Sequence, residues 1–261
     1  MARVSVSYDS HIAHVTLTRS DKMNAVDDDM IHAIIAAGQE IAASDARAVV
    51  LSGEGKGFCA GLDVMSFGAM AGADPQELIM PRSHGDTNRW QEVALVWRRV
   101  PVPVIAALHG VCYGAGFQLA LGADIRIATP DTKLSVMEMK WGLIPDMGGM
   151  VLLPQLARSD VIRQLTYTAL PISADQARDW GLVTSLADDA HAAALELATE
   201  IAGKSPSAIR AAKRLIALAE SGASREDVLL AESREQAALV GKADQMEIIA
   251  ASMQKRAPVF K

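Results

Sequence analysis

The sequence predicts a single α/β domain with a helical C-terminal appendage, and three observations carry that expectation. Short apolar runs of strand length, such as Ala48-Val49-Val50-Leu51-Ser52 and Val104-Ile105-Ala106-Ala107-Leu108, alternate with longer stretches of helical periodicity. Two of these runs lead through glycine-rich turns into helix-like segments. From Asp188 onward the chain reads as helix almost without interruption, broken at Gly203, at Ser205-Pro206 and at Ser221-Gly222-Ala223-Ser224. With 261 residues, half of them hydrophobic, the chain can bury a full core, and it carries neither a repeat nor a linker. The expected division is a core over residues 1–200 and a helical capping or oligomerisation region over 201–261.

Composition excludes several function classes. The net charge is −6 and no basic run exceeds Arg98-Arg99, so a nucleic-acid partner is not expected. The start, MARVSVSYD, has no apolar core of signal-peptide length and no run approaches a membrane span, so no membrane partner is expected either. Cys59 and Cys112 match no zinc spacing and make no disulfide framework; both lie in glycine-rich turns, but a reduced interior is the expectation. The chain is therefore expected to be soluble and cytoplasmic, with no metal.

Taken in order, Val4–Tyr8 and Ile12–Thr18 alternate around Asp9-Ser10-His11 and predict a β-hairpin, with His11 and His14 on its surface. Arg19 to Ala25 is a loop. Asp27-Asp28-Asp29 open a helix whose apolar face is Met30, Ile31, Ile34, Ile35, Gly38 and Ile41, ending near Ser44. Three acids in a first turn compensate the helix dipole and do not mark a metal site. Ala48–Ser52 is a buried strand. Met65 to Arg82, rich in Met, Gly and Pro, is read as a mobile or substrate-shaping segment. His84 to Arg99 predicts a helix with Trp90, Val93, Ala94 and Trp97 packed on one face, stopped by Pro101 and Pro103. His109 is expected to be structural. Beyond Gly149, helices are predicted over 150–156 and 161–167 and after the N-cap Ser173, with Trp180 to Val183 leading out of the last. The C-terminal helices present apolar faces such as Ile209, Ala212, Ile216 and Ala219.

Two glycine turns carry the functional signal. In the first, Gly53 to Asp63, Lys56 is followed by Gly57 rather than Ser or Thr, which excludes a phosphate loop; a dinucleotide fingerprint fails on spacing at both turns. What remains is a strand-to-helix turn with small residues before Leu62. The second, around Gly114, Ala115 and Gly116, lies between an apolar strand and the helix-like run Phe117 to Gly122. Either alone reads as a surface loop. Together they point to two outward N–H groups suited to a developing oxyanion. Downstream, Glu138 and Asp146 lie on a segment able to fold back over the same place, within apolar Met137, Met139, Trp141, Leu143, Ile144 and Met147.

At these residues the chain resembles the crotonase, or enoyl-CoA hydratase/isomerase, superfamily over most of its length. Lys22-Met23-Asn24-Ala25 is similar to the family's first CoA-contacting loop, and Gly57-Phe58-Cys59-Ala60-Gly61-Leu62-Asp63 to its FCAG-x-D motif. Pro103 to Gly110 followed by Gly114-Ala115-Gly116 resembles the second oxyanion-hole motif, and Gly142-Leu143-Ile144-Pro145 with Gly148-Gly149 the next substrate loop. The resemblance implies a spiral of ββα repeats with a C-terminal trimerising region, as a homotrimer or a dimer of trimers. It implies an acyl-CoA thioester as substrate, with coenzyme A arriving as part of it and no permanent cofactor. The backbone N–H groups of Leu62 and Ala115 would hold the carbonyl oxygen. Lys22, Met23, Ala25, Ala60, Gly61, Leu62, Gly114 and Trp141 would contact the substrate.

The resemblance also assigns the acids. Family hydratases use two glutamates; the second matches Glu138, but Gln118 stands in place of the first, and an amide cannot take a proton from water. Asp146 falls where dienoyl-CoA isomerases carry a catalytic aspartate, although those enzymes also have an acid at the place of Gln118. An aspartate there is the nucleophile in the aryl-CoA dehalogenase branch, but Glu138 replaces the tryptophan expected in it. The expected activity is double-bond isomerisation of an unsaturated acyl-CoA with Glu138 and Asp146 as acid and base. The alternatives are hydration by Glu138 with Gln118 orienting water, and a catalytically silent CoA-binding homologue. A thioester hydrolase lacks its G-x-S-x-G nucleophile motif. Asp63 is expected to cap its turn. Lys22, Lys56, Arg256 and Lys261 are the cations available to CoA phosphates.

Overall fold

The computed structural model describes residues 2–66, 72 and 74–260. Strands β1 (Val4–Asp9) and β2 (Ile12–Leu17) form the expected hairpin, turning through Ser10 and His11. Four more strands add in parallel: β3 (Ala48–Gly53), β4 (Val104–Leu108), β6 (Ile125–Ala128) and β9 (Ser185–Leu186). The resulting six-stranded sheet has the order β1-β2-β3-β4-β6-β9. A smaller sheet is built from β5 (Val111–Tyr113), β7 (Lys133–Ser135) and β8 (Ile172–Ser173). The unit repeats: β4 is followed by β5 and then helix α4 (Ala115–Leu121), and β6 by β7 and then α5 (Gly149–Leu156). Each pass thus lays one strand in the large sheet and one in the small sheet before it enters a helix. An isolated bridge between Cys59 and Cys112 brings the first glycine turn alongside β5.

Both faces of the large sheet are covered, as a parallel sheet requires. Val15, Leu17, Val49, Leu51, Ala106 and Leu108 pack into a core with α1 (Asp28–Ala42), α3 (Arg89–Arg99) and α4. Ile12, Val50, Ile105, Ala107 and Ile127 face Ala190, Ala194, Ala198 and Ala202 of α8 (Ala190–Ala202), whose small side chains let the helix lie close to the strands. Asp27 caps α1 by accepting from Met30 N and also pairs with Arg3, so the Asp27–Asp29 run serves the helix start. The cysteines are both free and buried, and burial pushes the Cys59 thiol up to about 12.

Two expectations shift in detail. The helix expected from His84 starts at Arg89, because Asn88 and Gln91 close a capping box there and His84 to Thr87 form a turn. Strands β5, β7, β8 and β9 are too short to leave a periodic signal. Within the expected segment Met65–Arg82, residues 67–71 and 73 lie outside the described residues, as does Lys261. The remainder holds helix α2 (Pro75–Ile79), capped by Asp74, with Asn88 Nδ2 donating to Ile79 O.

Helices α6 (Ser159–Thr168) and α7 (Ala174–Asp179) connect the last strands, and α9 (Pro206–Glu220), α10 (Arg225–Leu239) and α11 (Ala243–Gln254) follow α8. Lys213 anchors α9. Its Nζ donates to Trp97 O, Val102 O and Asp124 Oδ2, the last at 2.7 Å, while Asp124 Oδ2 also accepts from Val104 N. Asp124→Ala leaves a largely buried ammonium and a strand N–H without their partner. It is expected to destabilise the fold by about 3 kcal/mol, read from the urea midpoint. An unchanged midpoint would show that the anchor carries no stability. Helix α10, by contrast, buries no residue, and Leu229 and Leu230 are exposed on it.

Candidate active site

The first turn is held in shape by Asn24. This residue is fully buried with φ 55°, and its Nδ2 donates to the carbonyls of Glu54 (2.9 Å), Gly57 (3.1 Å) and Phe58 (3.1 Å). The turn is then laced to β5, with Cys59 N donating to Val111 O and Tyr113 N to Cys59 O, both at 3.0 Å. Ala60 N donates to Met23 O, Val26 N to Gly61 O and Asp63 N to Val26 O. The Leu62 N–H between them has no partner among the described residues. Asp63 is the expected cap: it accepts from Met65 N and pairs with Arg19 at 2.7 Å. The Met65 N–H, then Arg19 and Lys22, hold its carboxyl below the usual carboxylate range.

The second turn depends on Gly114, whose φ of 49° and ψ of −119° would strain any L side chain. Its N–H donates to Ser135 O, and α4 begins at the next residue. As the first helical residue, Ala115 has no carbonyl to receive its N–H within the helix, and none elsewhere accepts it among the described residues. The two turns touch at Gly116, where a Cβ would stand 2.5 Å from Cys59 Cβ and 2.7 Å from its Sγ. Two unpaired N–H groups are thereby brought to one place.

That place is a cavity of about 320 Å³. Ala60, Gly61, Leu62, Gly114 and Ala115 form the wall that carries the N–H groups. Val64, Met137, Leu143, Ile144 and Met147 supply apolar surface, and Glu138 and Asp146 supply carboxylates. Met23, Tyr113, Lys140 and Trp141 complete it, with Lys140 Nζ 5.7 Å from the centre of the Trp141 ring.

Glu138 opens a 3₁₀ turn (Glu138–Trp141) that brings its carboxylate against Gly114, where a Cβ would lie 3.5 Å from Glu138 Oε1. Oε1 accepts from Gln118 Nε2 at 2.6 Å; Oε2 is buried with no hydrogen-bond partner. Burial pushes this carboxyl above its ordinary range and the neighbouring Asp146 adds to the push, while the Gln118 amide and nearby backbone N–H groups oppose it. Desolvation by its neighbours raises Asp146 as well, although the residue is exposed and lines the cavity. Asp146 does not cap α5, whose N-cap Gly148 receives no side-chain bond. Among the described residues no cluster of three His, Cys, Asp or Glu side chains is arranged to hold a metal.

Of the residues singled out in the sequence, Met23, Ala60, Gly61, Leu62, Gly114, Ala115, Glu138, Trp141 and Asp146 all meet at this cavity. Gln118 stands behind the wall, 1% exposed. Lys22 and Ala25 are not in the wall: Lys22 ends an exposed 3₁₀ turn (Ser20–Lys22), and the Ala25 carbonyl accepts from Arg19. His109 bonds to Gly55 O outside the cavity, and Arg256 is tied to Glu247. Sequence reasoning missed Tyr113, Val64 and Lys140 as wall residues and Asn24 as the pin of the first turn. Only the position of Tyr113 beside Gly114 hinted at any of them.

The family described as enoyl-CoA hydratase/isomerase matches residues 7–261. The mitochondrial Delta(3,5)-Delta(2,4)-dienoyl-CoA isomerase of Mus musculus is 35% identical over 215 residues; the match covers 79% of this chain and 66% of that protein. The chain thus spans just under two thirds of the length of that relative. The 1,2-epoxyphenylacetyl-CoA isomerase of Escherichia coli is 32% identical over 94% of this chain and 93% of its own. Among solved structures, the enoyl-CoA hydratase of Bacillus anthracis superposes with a TM-score of 0.87 at 28% identity, covering 99% of both chains.

Proposed function

The chain belongs to the enoyl-CoA hydratase/isomerase family, and on that premise we propose that it moves a double bond along an unsaturated acyl-CoA. The observation that carries this reading is the pairing, in one apolar cavity, of two raised-pKa carboxylates with two unpaired backbone N–H groups. The thioester oxygen accepts from Leu62 N and Ala115 N. Loss of an α or γ proton then gives an enolate whose charge develops on that oxygen, where each preorganised donor contributes about 3 kcal/mol. One of Glu138 and Asp146 takes the proton and the other returns one further along the chain. Desolvation by the apolar walls raises both carboxyls above their ordinary range, the direction that favours such transfer.

Hydration by Glu138 with Gln118 orienting the water is the second reading. The state of Gln118 favours isomerisation: its Oε1 already accepts from Met147 N and Gly149 N, its Nε2 donates to Glu138 and it stands behind the wall, so it is not placed to orient a water. We further assign the protein to the cytoplasm, as a homotrimer or dimer of trimers assembled through residues 201–261. The exposed Leu229, Leu230, Met246, Ile249 and Met253 support that assembly, and among the described residues no helix is long and apolar enough to cross a membrane.

The test is turnover of trans-2-enoyl-, 3-enoyl- and 3,5-dienoyl-CoA in deuterated water, read by mass and ultraviolet absorbance. Double-bond migration with deuterium incorporation is expected. The pH profile of kcat/KM should be bell-shaped, with its acid limb above the ordinary carboxylate range because burial raises both groups. Water addition as the sole reaction would replace this reading with hydration.

A further inference from the structure

Gln118 lies on α4, outside the cavity, yet each end of its amide touches a segment that carries one of the acids. Nε2 donates to Glu138 Oε1 at 2.6 Å, and Oε1 accepts from Met147 N at 2.9 Å and Gly149 N at 3.0 Å. The two backbone donors can meet only the oxygen and the carboxylate only the nitrogen, so the amide has one orientation. Gly149 belongs to the same device: a Cβ there would stand 2.7 Å from Gln118 Oε1, so only glycine lets the amide approach. Met147 and Gly149 bracket the backbone just after Asp146, and Glu138 lies eight positions before it in sequence. A single buried amide therefore clips together the two ends of the segment that bears both carboxylates.

We propose that Gln118 is a positioning residue that fixes Glu138 and Asp146 relative to one another and holds Glu138 as the ionised partner, with Oε2 left free for the proton. The chemical reason is that an N–H donating to Oε1 stabilises the carboxylate more than the neutral acid, so the Gln118 amide favours the ionised form. An acid in its place would share a proton with Glu138 and take the base out of its working state. Oε2 is buried and accepts no hydrogen bond, so a proton can bind there without breaking the Gln118 contact. The other ionisable groups around the same cavity are Asp146, Lys140 and Tyr113; Gln118 is the contact on Glu138 from α4. This assignment rests on the isomerase reading for its catalytic meaning, but the clip itself is read without substrate.

The experiment follows the carboxyl infrared band of Glu138, identified as the band lost in Glu138→Gln, through a pH titration of wild type, Gln118→Glu, Gln118→Met and Gly149→Ala. Gln118→Glu is isosteric and sets a second carboxyl at hydrogen-bond distance. It is expected to raise the Glu138 midpoint by about 1 pH unit or more, to move the acid limb of kcat/KM with it, and to lower kcat about tenfold or more with KM little changed. Gln118→Met and Gly149→Ala should move the midpoint in the same direction by removing or displacing the donor. A variant set that loses thermal stability while the midpoint stays at its wild-type value would overturn the proposal and leave Gln118 as packing alone. Should Gln118→Met fail to fold, the isosteric Gln118→Glu decides. Wild-type protein that moves no double bond would sink the isomerase reading while leaving the titration result to stand or fall by itself.

Discussion

Glu138→Gln is expected to lower kcat for double-bond migration by about 10³-fold, within the range lost when a positioned acid or base is removed, with KM close to wild type. The substitution keeps the shape of the side chain and one oxygen to accept from Gln118 Nε2, so the cavity wall stays in place. What disappears is the oxygen proposed to take the proton. The same change should make the protein more stable at neutral pH. Burial raises the folded-state pKa of Glu138 above its unfolded value. Its favourable contribution is therefore complete below the unfolded carboxylate pKa and is lost as pH rises through the folded one. Above that window the wild type holds a charge its surroundings disfavour, and glutamine does not. A melting temperature at pH 8 that rises while turnover vanishes is the expected pair of results. Turnover within tenfold of wild type would remove Glu138 from the chemistry.

The second large effect is expected at Gly116. A methyl group there would overlap Cys59 Cβ and Sγ, and Cys59 is held from behind by its Sγ–H bond to Asn24 O and by its two backbone bonds to Val111 and Tyr113. Neither turn can retreat without giving up hydrogen bonds, so Gly116→Ala is expected to cost about 3 kcal/mol, at the upper end for overpacking. It should also separate the Leu62 and Ala115 N–H groups. Misaligning one donor costs about 10²-fold to 10³-fold in kcat. Denaturant midpoint and kcat measured on the same sample distinguish this outcome from simple loss of folded protein. A folded Gly116→Ala enzyme with wild-type kcat would show that the two turns do not act as a pair.

The features legible in the sequence were those that one side chain or one short period encodes. The hairpin, the caps at Asp27 and Ser173, the breaks at Gly203, Ser205-Pro206 and Ser224, and the strands β3 and β4 all follow from local chemistry. So did the two glycine turns and the pair Glu138 and Asp146. The rest depends on contacts between distant parts of the chain. Asn24 is one polar residue in a loop until folding sets it under three carbonyls of residues 54–58. Tyr113 looks like a turn residue until β5 pairs with β7 and brings it to the cavity wall. Gln118 is a polar residue early in a short helix, and its role is visible only when Glu138, Met147 and Gly149 close around it.

The parallel pairing of the large sheet has a consequence for how the molecule comes to exist. Ile12 meets Ala48, Val49 meets Val104, Ile105 meets Ile125 and Ile127 meets Ser185, so every parallel neighbour is joined by a crossover and none by a tight turn. Such a topology folds slowly compared with one built from local contacts. Both glycine turns and the segment carrying the two acids lie inside those loops. The cavity is therefore assembled from separate crossovers: Leu62, Ala115, Glu138 and Asp146 lie far apart in the chain and are brought together by the strands that space them.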